Sequence, residues 1–287
     1  MINEHGKEFY QSPLLALPES SVGGWSVTRI MREPGYCFHT TTIRSALIGG
    51  QEDRTVLFDT PTTWHELREG TSLWMSDYPI EQKQHDDAIS RIKTGPVLIG
   101  GLGLGYAVTA LMLRRPRLKA IIVVEKSQDV IDLIWPHIEE RRKLLGRRTH
   151  LEVLHNDLFG FLRIPAVKET YAAAFFDIWA GDGEATFHET VMPLRKLARQ
   201  VVPSGNIQCW NEDVMRGQLA NRLIGQASML HLNGDYEGQL ACLIEPRGRV
   251  YDDWAVDFWR GIAQSTARLT FEAITARALV YAQSYGR

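Results

Sequence analysis

The sequence lacks the features of a membrane protein, a secreted protein or a disulfide-linked scaffold. No apolar run approaches the ~18 residues that a membrane-spanning helix needs, and Met1 to Tyr10 contain no apolar segment behind a basic start. Only three cysteines are present, Cys37, Cys209 and Cys242, and they lie far apart along the chain. This number and spacing favour reduced structural thiols over disulfides or a zinc site. We therefore expect a cytoplasmic protein with no membrane anchor.

The chain also lacks an excess of charge of either sign. It has 32 Lys and Arg against 34 Asp and Glu, which gives a formal net charge of −2. Such a balance provides no overall attraction to nucleic acid or to an anionic membrane. Two basic clusters, at 114–117 and 141–148, fall where predicted helices end and where cations stabilise the helix dipole. We expect a small-molecule partner, and an assembly of identical chains through the C-terminal helices is an open alternative.

Two different patterns follow one another along the 287 residues. Residues 1–80 contain short segments rich in β-branched and aromatic residues, which predict a small antiparallel β region. These segments are 25–30, 38–43 and 55–58. From Pro96 onward, apolar strands alternate with amphipathic helices, the pattern of a parallel, doubly wound sheet. We assign 81–250 to this Rossmann-like α/β domain and 251–287 to a C-terminal helical extension.

The predicted strands of the doubly wound domain are uniformly apolar, as expected for a sheet that is covered on both faces. They are Val97–Gly100, Ala120–Glu125, Leu151–Leu154, Ala172–Ile178 and Asn206–Trp210. The helices predicted between them are Ala107–Leu113, Ser127–Leu145, Thr186–Gln200 and Asp213–Gln226. A further edge strand is predicted at Gln239–Ile244, followed by helices at Asp252–Leu269 and Phe271–Ser284.

A turn with glycines at Gly101, Gly103 and Gly105 follows the first of these strands and opens the next helix. Alternating glycines let backbone amides approach a ligand closely and allow φ angles that other residues avoid. A dinucleotide fingerprint, GxGxxG, would need a small residue at Tyr106 or Val108 instead. A Walker-type phosphate loop is excluded because no Gly-Lys-Ser/Thr follows the turn. The turn therefore favours a nucleoside-like ligand without phosphates, and NAD(P) is kept as an alternative.

Three acidic residues follow predicted strands at their carboxyl ends, where open α/β sheets bind ligands. Glu125 stands twenty residues after Gly105, the spacing at which a carboxylate reaches both hydroxyls of a ribose. Asp157, preceded by Asn156, is placed to accept the exocyclic amine of adenine. Asp177 ends a very apolar strand, where a carboxylate is costly unless it faces a polar cleft. For each of these acids, a helix cap or a turn is the alternative role.

Together these residues resemble the spermidine synthase-like branch of class I S-adenosylmethionine-dependent transferases, over about 67–179. Segment 67–77 looks like a strand of the family and the loop that follows it. Glu81, His85 and Asp86 match the family's Asp-Glu…Tyr-His/Gln-Glu element. The Trp-Met-Ser-Asp, Gly-Leu-Gly-Leu-Gly and Val-Glu-Lys-Ser runs look closer still to a group of bacterial and phage methyltransferase-like proteins. The resemblance implies S-adenosyl-L-methionine as the cofactor, held in a class I methyltransferase-type Rossmann domain.

Several positions depart from the pattern of the aminopropyltransferases in this family. Leu104 replaces an Asp inside the glycine turn, Met75 replaces a Gln, and Gln84 replaces a Tyr. The Asp-Ser-Ser-Asp run is replaced by Asp-Ile-Trp-Ala at 177–180. Because these are contacts for a polyamine chain, methyl transfer to a small-molecule amine or hydroxyl is the leading prediction. Aminopropyl transfer from decarboxylated S-adenosylmethionine, a non-catalytic cofactor-binding protein and an NAD(P) oxidoreductase are the alternatives.

The sequence also suggests a role for each candidate site residue. Asp177 is the candidate base that deprotonates or orients the nucleophile. His85, on a helix expected to fold over the cleft, is a second candidate catalytic residue, and an exposed helix histidine beside Asp86 and Asp87 is the alternative. Asp77, Glu81 and Trp179 are expected to shape the acceptor site. We predict no metal, because the acidic residues next to His85 are consecutive on a helix and point to different faces.

Overall fold

The computed structural model describes residues 2–3, 13–39, 55–164, 171–180, 183–203, 205–232, 235–245, 250–265 and 268–285. Within it the chain forms two compact units. The first contains Met1–Ala180 and Arg195–Trp210, and the second contains Gly181–Leu194 and Asn211–Arg287. The chain therefore leaves the first unit, returns to it once, and then completes the second.

Short antiparallel strands form the N-terminal part of the first unit. They are β1 (Ile2–Asn3), β2 (Ser20–Val22), β3 (Trp25–Arg32), β4 (Cys37–His39), β5 (Thr55–Leu57), β6 (Thr62–Glu69) and β7 (Ser72–Ser76). Strands β2, β3, β6 and β7 form one sheet in that order, and β1, β5 and β4 form another. The predicted antiparallel region is confirmed, although the part of the predicted strand 38–43 beyond His39 lies outside the described residues.

A five-stranded parallel sheet forms the rest of the first unit. Its strands are β8 (Pro96–Gly100), β9 (Ala120–Glu125), β10 (His150–His155), β11 (Ala173–Phe176) and β12 (Ile207–Cys209). Their order in the sheet is β10-β9-β8-β11-β12, and every neighbouring pair is parallel. The chain starts at the central strand, moves to one edge and then crosses to the other, as in doubly wound sheets. The predicted Rossmann-like α/β fold, with its parallel, doubly wound sheet, is confirmed.

Helices cover this sheet and explain its apolar strands. In the first unit they are α1 (Pro79–Ile89), α2 (Tyr106–Arg114), α3 (Gln128–Leu144) and α4 (Leu158–Leu162). The consecutive residues Val97, Leu98 and Ile99 of β8 are fully buried. Since consecutive residues of a strand point to opposite faces, both faces of the sheet are covered, and an alternation of polar and apolar residues is not needed.

The remaining helices include all the regular structure described in the second unit. They are α5 (Glu184–Thr186, a π-helical turn at Phe187–Val191, and Met192–Ala198), α6 (Glu212–Leu232), α7 (Tyr236–Ile244), α8 (Val250–Ala263) and α9 (Phe271–Ser284). The last part of α5 returns to the first unit. In the described part of the chain, none of the helices combines the length and the apolarity that crossing a membrane requires.

The predicted edge strand at Gln239–Ile244 is wrong, because these residues belong to α7. The side chain of Asp235 caps this helix by accepting a hydrogen bond from Gly238 N at 3.0 Å. Tyr236 and Leu240 are its buried residues, and a spacing of four places both on one face of a helix. A short apolar run fits a strand or a helix equally well, so its periodicity does not separate the two.

A fully buried arginine, Arg216, joins the start of α6 to the end of α9 within the second unit. Its guanidinium donates hydrogen bonds to Glu212 Oε1 at 2.9 and 2.7 Å and lies 4.9 Å from the ring centroid of Phe187. It also donates to carbonyl oxygens at the end of α9, which belong to Ala282, Gln283 and Tyr285. Arg216 therefore satisfies carbonyls that a helix end leaves without partners.

Replacing Arg216 with Met should destabilise the chain by about 3–5 kcal/mol, because it leaves the Glu212 carboxylate without its buried partner. Urea unfolding followed by circular dichroism measures the loss. Arg260→Met is the matched control, since Arg260 forms an exposed pair with Asp257 and its loss should cost less than about 1 kcal/mol. Equal losses in the two variants would contradict a structural role for the buried arginine.

Candidate functional site

The glycine-rich turn joins the end of β8 to the start of α2. Gly101, Gly103 and Gly105 have φ angles of +90°, +50° and +73°, in the left-handed region that favours glycine. Within the turn, Gly105 N donates to Leu102 O at 2.9 Å. All three positions therefore favour glycine because of their backbone conformation alone.

Each of these glycines also leaves room for another part of the protein. A Cβ added at Gly101 would meet the carbonyl oxygen of Asp177, and one added at Gly103 would meet the sulfur of Met75. At the third glycine, an added Cβ would meet side chains of α3. Close packing of the protein on itself is thus one reason for the glycine pattern, and the approach of a ligand to the turn stays a prediction.

Glu125 ends β9, and both oxygens of its carboxylate accept backbone hydrogen bonds. Oε2 accepts from Leu102 N in the glycine turn at 2.8 Å, and Oε1 accepts from Ser127 N at 2.8 Å. These two bonds hold the carboxylate at the carboxyl edge of the sheet, beside the turn. Because a carboxylate has about four acceptor positions, Glu125 is oriented by the protein and can still accept hydrogen bonds from a ligand.

Asn156 and Asp157 follow β10 and are exposed. The carboxylate of Asp157 accepts a hydrogen bond from Gly160 N at 2.7 Å and so caps α4. The capping role that the sequence left open therefore occupies one oxygen of this side chain. Binding of adenine by Asn156 and Asp157 stays a prediction.

Asp177 and His85 are paired, although 92 residues separate them in sequence. His85 Nε2 lies 3.0 Å from Asp177 Oδ2, and His85 Nδ1 lies 2.8 Å from the carbonyl oxygen of Glu81. The side chain of His85 is 3% exposed and that of Asp177 is 17% exposed. The histidine is therefore enclosed, whereas the carboxylate can be reached from outside.

The surroundings of His85 favour its protonated form. Burial lowers the pKa of His85, but the hydrogen bond and the charge of Asp177, together with Glu81, outweigh it and raise the pKa above its ordinary value. Both ring nitrogens face oxygen acceptors, and only the imidazolium donates from both. The pair is therefore best described as an imidazolium held against a carboxylate.

Glu81 is the second carboxyl group near this pair. Its Oε2 accepts hydrogen bonds from Ser76 N at 2.8 Å and from Ser76 Oγ at 2.9 Å. Burial raises the pKa of Glu81 to about 7, although the bonds from Ser76 and the charge of His85 oppose the rise. Glu81 therefore changes its charge close to neutral pH.

Two residues predicted to shape the acceptor site, Asp77 and Trp179, are buried in the structure. Asp77 is 4% exposed, and its carboxylate accepts from His65 N and lies 3.1 Å from His65 Nδ1. Trp179 is 7% exposed, and its indole N–H has no hydrogen-bond partner among the described residues. Contact of either residue with a substrate stays a prediction.

The sequence places Met75 and Ser76 in the family-like Trp-Met-Ser-Asp run, and Met75 also departs from the aminopropyltransferase pattern, but it predicts a functional role for neither residue. In the structure, Met75 Sδ accepts a hydrogen bond from Leu104 N at 3.1 Å, and Ser76 holds Glu81. The five-residue separation of Ser76 and Glu81 differs from the three-residue spacing of a capping box. No local motif therefore marks this pair in the sequence.

The raised pKa of Glu81 predicts a pH dependence of stability. Between pH 4.5 and about 7 the unfolded chain ionises this carboxyl group while the folded chain keeps it protonated, so stability falls as the pH rises through this window. Glu81→Gln should flatten that fall, measured as the free energy of unfolding in urea at several pH values from 4.5 to 6.5. Glu140→Gln, an exposed change on α3, should keep the wild-type slope. The same slope in Glu81→Gln as in the wild type would contradict the assignment.

No family model and no curated protein matches the chain. Its fold is similar to solved methyltransferase structures. A candidate S-adenosyl-L-methionine-dependent methyltransferase from Methanococcus maripaludis is 17% identical over 64% of this chain and 75% of its own length, with a TM-score of 0.35. A SAM-dependent methyltransferase from Aquifex aeolicus is 18% identical over 43% of this chain and 60% of its own length, with a TM-score of 0.30. A geranyl diphosphate methyltransferase in complex with SAM is 14% identical over 43% of this chain and 44% of its own length, with a TM-score of 0.31. At such identities and TM-scores the similarity concerns the fold, and it transfers neither substrate nor site residues to this chain.

Proposed function

We propose that this chain is an S-adenosyl-L-methionine-dependent transferase that methylates the amine or hydroxyl group of a small molecule. The observation that carries the proposal is the placement of two carboxylates around the glycine turn. Strands β9 and β11 flank β8 in the sheet, and Glu125 and Asp177 stand at their carboxyl ends. The Glu125 carboxylate would accept hydrogen bonds from the two hydroxyls of a ribose, and the Asp177 carboxylate would take a proton from the nucleophile.

The residues present at this edge fit the cofactor. Glu125 would bind the ribose, Asn156 and Asp157 would bind the adenine edge, and the glycine turn would lie against the amino-acid end. When bound, S-adenosyl-L-methionine supplies a methyl group on a positively charged sulfur, and this sulfur is the leaving group when a nucleophile attacks the methyl carbon in line. The protein contributes alignment and the exclusion of water.

Asp177 is the proposed base for the acceptor. His85 occupies Oδ2 of this carboxylate, which leaves Oδ1 available to orient an N–H or O–H group and to take its proton. His85 acts through Asp177 as a positioning residue, because its ring is held in turn by the carbonyl of Glu81. Its positive charge also compensates the carboxylate in a largely buried place.

Two features support methyl transfer over aminopropyl transfer within a spermidine synthase-like branch. Leu104, where the aminopropyltransferases have an Asp, is buried at 1% exposure and has no charge with which to hold a donor ammonium group. Met75 replaces a polar Gln and places a thioether on the turn. At these two positions the chain thus lacks the polar side chains that the aminopropyltransferases use for such donors and for polyamines.

A dinucleotide fits this turn less well. Tyr106 stands where the fingerprint needs a small residue, is 3% exposed and donates a hydrogen bond from its hydroxyl to Asp86 at 2.9 Å. A large buried side chain at the close contact between helix and strand disfavours the pyrophosphate turn. Calorimetry with NAD(P) and with S-adenosyl-L-methionine separates the two cofactor classes, and methyl-label transfer separates an enzyme from a non-catalytic binding protein.

Glu125→Ala should weaken the binding of S-adenosylhomocysteine by about 1.5–3 kcal/mol, roughly 10- to 150-fold, because a charge-assisted hydrogen bond to the ribose is lost. Isothermal titration calorimetry measures the affinity, and circular dichroism verifies the fold. Glu152→Ala, an exposed change on neighbouring β10, should leave the affinity at the wild-type value. Unchanged affinity in a folded Glu125→Ala protein would refute the ribose assignment.

Asp177→Asn should reduce methyl transfer by about 100-fold or more, the contribution typical of a general base. The assay follows label from [methyl-³H]-S-adenosyl-L-methionine into the small-molecule fraction of a cell extract. The same change removes the partner that raises the pKa of His85, so this pKa should fall, as measured by NMR of the histidine ring protons.

Asp132→Asn, an exposed change on α3, is the control for this experiment and should retain full transfer and the wild-type pKa of His85. Full transfer by Asp177→Asn would exclude it as the base. An unchanged pKa of His85 in Asp177→Asn would show that the pairing of the two residues is wrong.

A further inference from the structure

The side chain of Met75 lies directly on the glycine turn. Its sulfur accepts a hydrogen bond from Leu104 N at 3.1 Å and occupies the space where a Cβ at Gly103 would stand. Met75 itself is half-buried near the end of β7. One thioether therefore covers both the amide and the open side of the turn at its centre.

The sulfur is a weak partner for this amide. Elsewhere in the turn, Gly101 N donates to a carbonyl oxygen and Leu102 N donates to a carboxylate oxygen, whereas Leu104 N donates to a thioether. Thioether sulfur is a poor hydrogen-bond acceptor. Amides at the start of a helix instead favour a negatively charged oxygen, and Leu104 stands two residues before Tyr106, the first residue of α2. A ligand carboxylate would therefore be the stronger partner.

The backbone that carries Met75 is firmly held, so only its side chain is free to change place. Met75 pairs with Leu67 in the β6–β7 ladder, and the next residue, Ser76, is bonded to Glu81 through both its N–H and its hydroxyl. Asp77 N then donates to His65 O at 3.1 Å. The methionine side chain has three rotatable bonds and adapts easily. The strand thus fixes the position from which a flexible side chain covers the turn.

We propose that Met75 is a displaceable cover of the glycine turn, whose sulfur leaves the Leu104 amide when the carboxylate of a bound ligand takes that amide. This inference rests on the proposed function. In it, Met75 is the residue that limits the affinity of the chain for the cofactor. A nucleoside with an amino-acid group must displace Met75 in order to bind. A nucleoside without that group binds beside Met75 and leaves it in place.

Calorimetry with two probes tests this, with S-adenosylhomocysteine carrying the amino-acid group and 5′-methylthioadenosine lacking it. Met75→Ala should bind S-adenosylhomocysteine about three- to tenfold more tightly than the wild type does, since no weak hydrogen bond has to be broken. Its affinity for 5′-methylthioadenosine should stay unchanged. Met75→Leu is the substitute test if Met75→Ala fails to fold, because it keeps the bulk of the side chain without the sulfur acceptor. It should also raise the affinity for S-adenosylhomocysteine relative to that for 5′-methylthioadenosine. Leu73→Ala, an exposed change on the same strand, should behave as the wild type.

NMR of protein labelled at its methionine methyl groups provides a readout that does not depend on turnover. The chain has seven methionines, and the Met75 resonance is identified by its loss in Met75→Leu. This resonance should move with S-adenosylhomocysteine and stay in place with 5′-methylthioadenosine. If both probes bind but the affinity ratio is unchanged and the resonance responds equally to both, the cover is refuted and the proposed function stands. If neither probe binds the wild type or the variants, the proposed function fails and the inference fails with it.

Discussion

Backbone hydrogen bonds that continue past the ends of the parallel strands hold the candidate site together. Asp177 N donates to Gly100 O at 2.9 Å, and Gly101 N donates to Val124 O at 3.0 Å. The glycine turn is therefore tied on one side to the strand that ends in Glu125 and on the other to the residue that pairs with His85. Glycine at 101 is required for this arrangement, because a side chain there would strike the carbonyl of Asp177.

A buried ionic group is built on this frame. His85 is enclosed by aromatic rings, with the ring centroid of Tyr106 at 5.6 Å and that of Phe175 at 5.5 Å. Its charge is stable there only because Asp177 and the carbonyl of Glu81 accept from both ring nitrogens, since an unpaired buried charge would be strongly destabilising. The hydrogen bond from His85 holds Asp177 in one orientation. Because the pKa of Glu81 is about 7, the total charge of His85, Asp177 and Glu81 depends on pH near neutrality.

The parts of the fold that could be predicted from the sequence are those set by local periodicity. The strand at Val97–Gly100 is predicted to within one residue of the observed Pro96–Gly100, because an apolar run, a glycine turn and a helix follow one another there. By contrast, the residue pattern of Thr62–Glu69 predicts no strand, because His65 is polar and yet buried. It is buried because Asp77, which follows the next strand, pairs with it, and a single-strand pattern contains no trace of that partner. The strand predicted at Gln239–Ile244 is wrong, because a short apolar run satisfies the periods of both a strand and a helix.

The sequence by itself determined the doubly wound sheet and the positions of Glu125 and Asp177 at strand ends, since burial on both faces and strand–turn–helix order leave a clear local pattern. Only the tertiary structure decided which side chains meet at that edge. The contact of Asp177 with His85 spans 92 residues, and the contact of Met75 with the glycine turn joins a strand of one sheet to a loop of another. Such long-range contacts depend on strand order and on side-chain packing, and the spacing of residues along the sequence encodes neither. The glycine turn is thus a sequence motif whose surroundings only the folded chain defines.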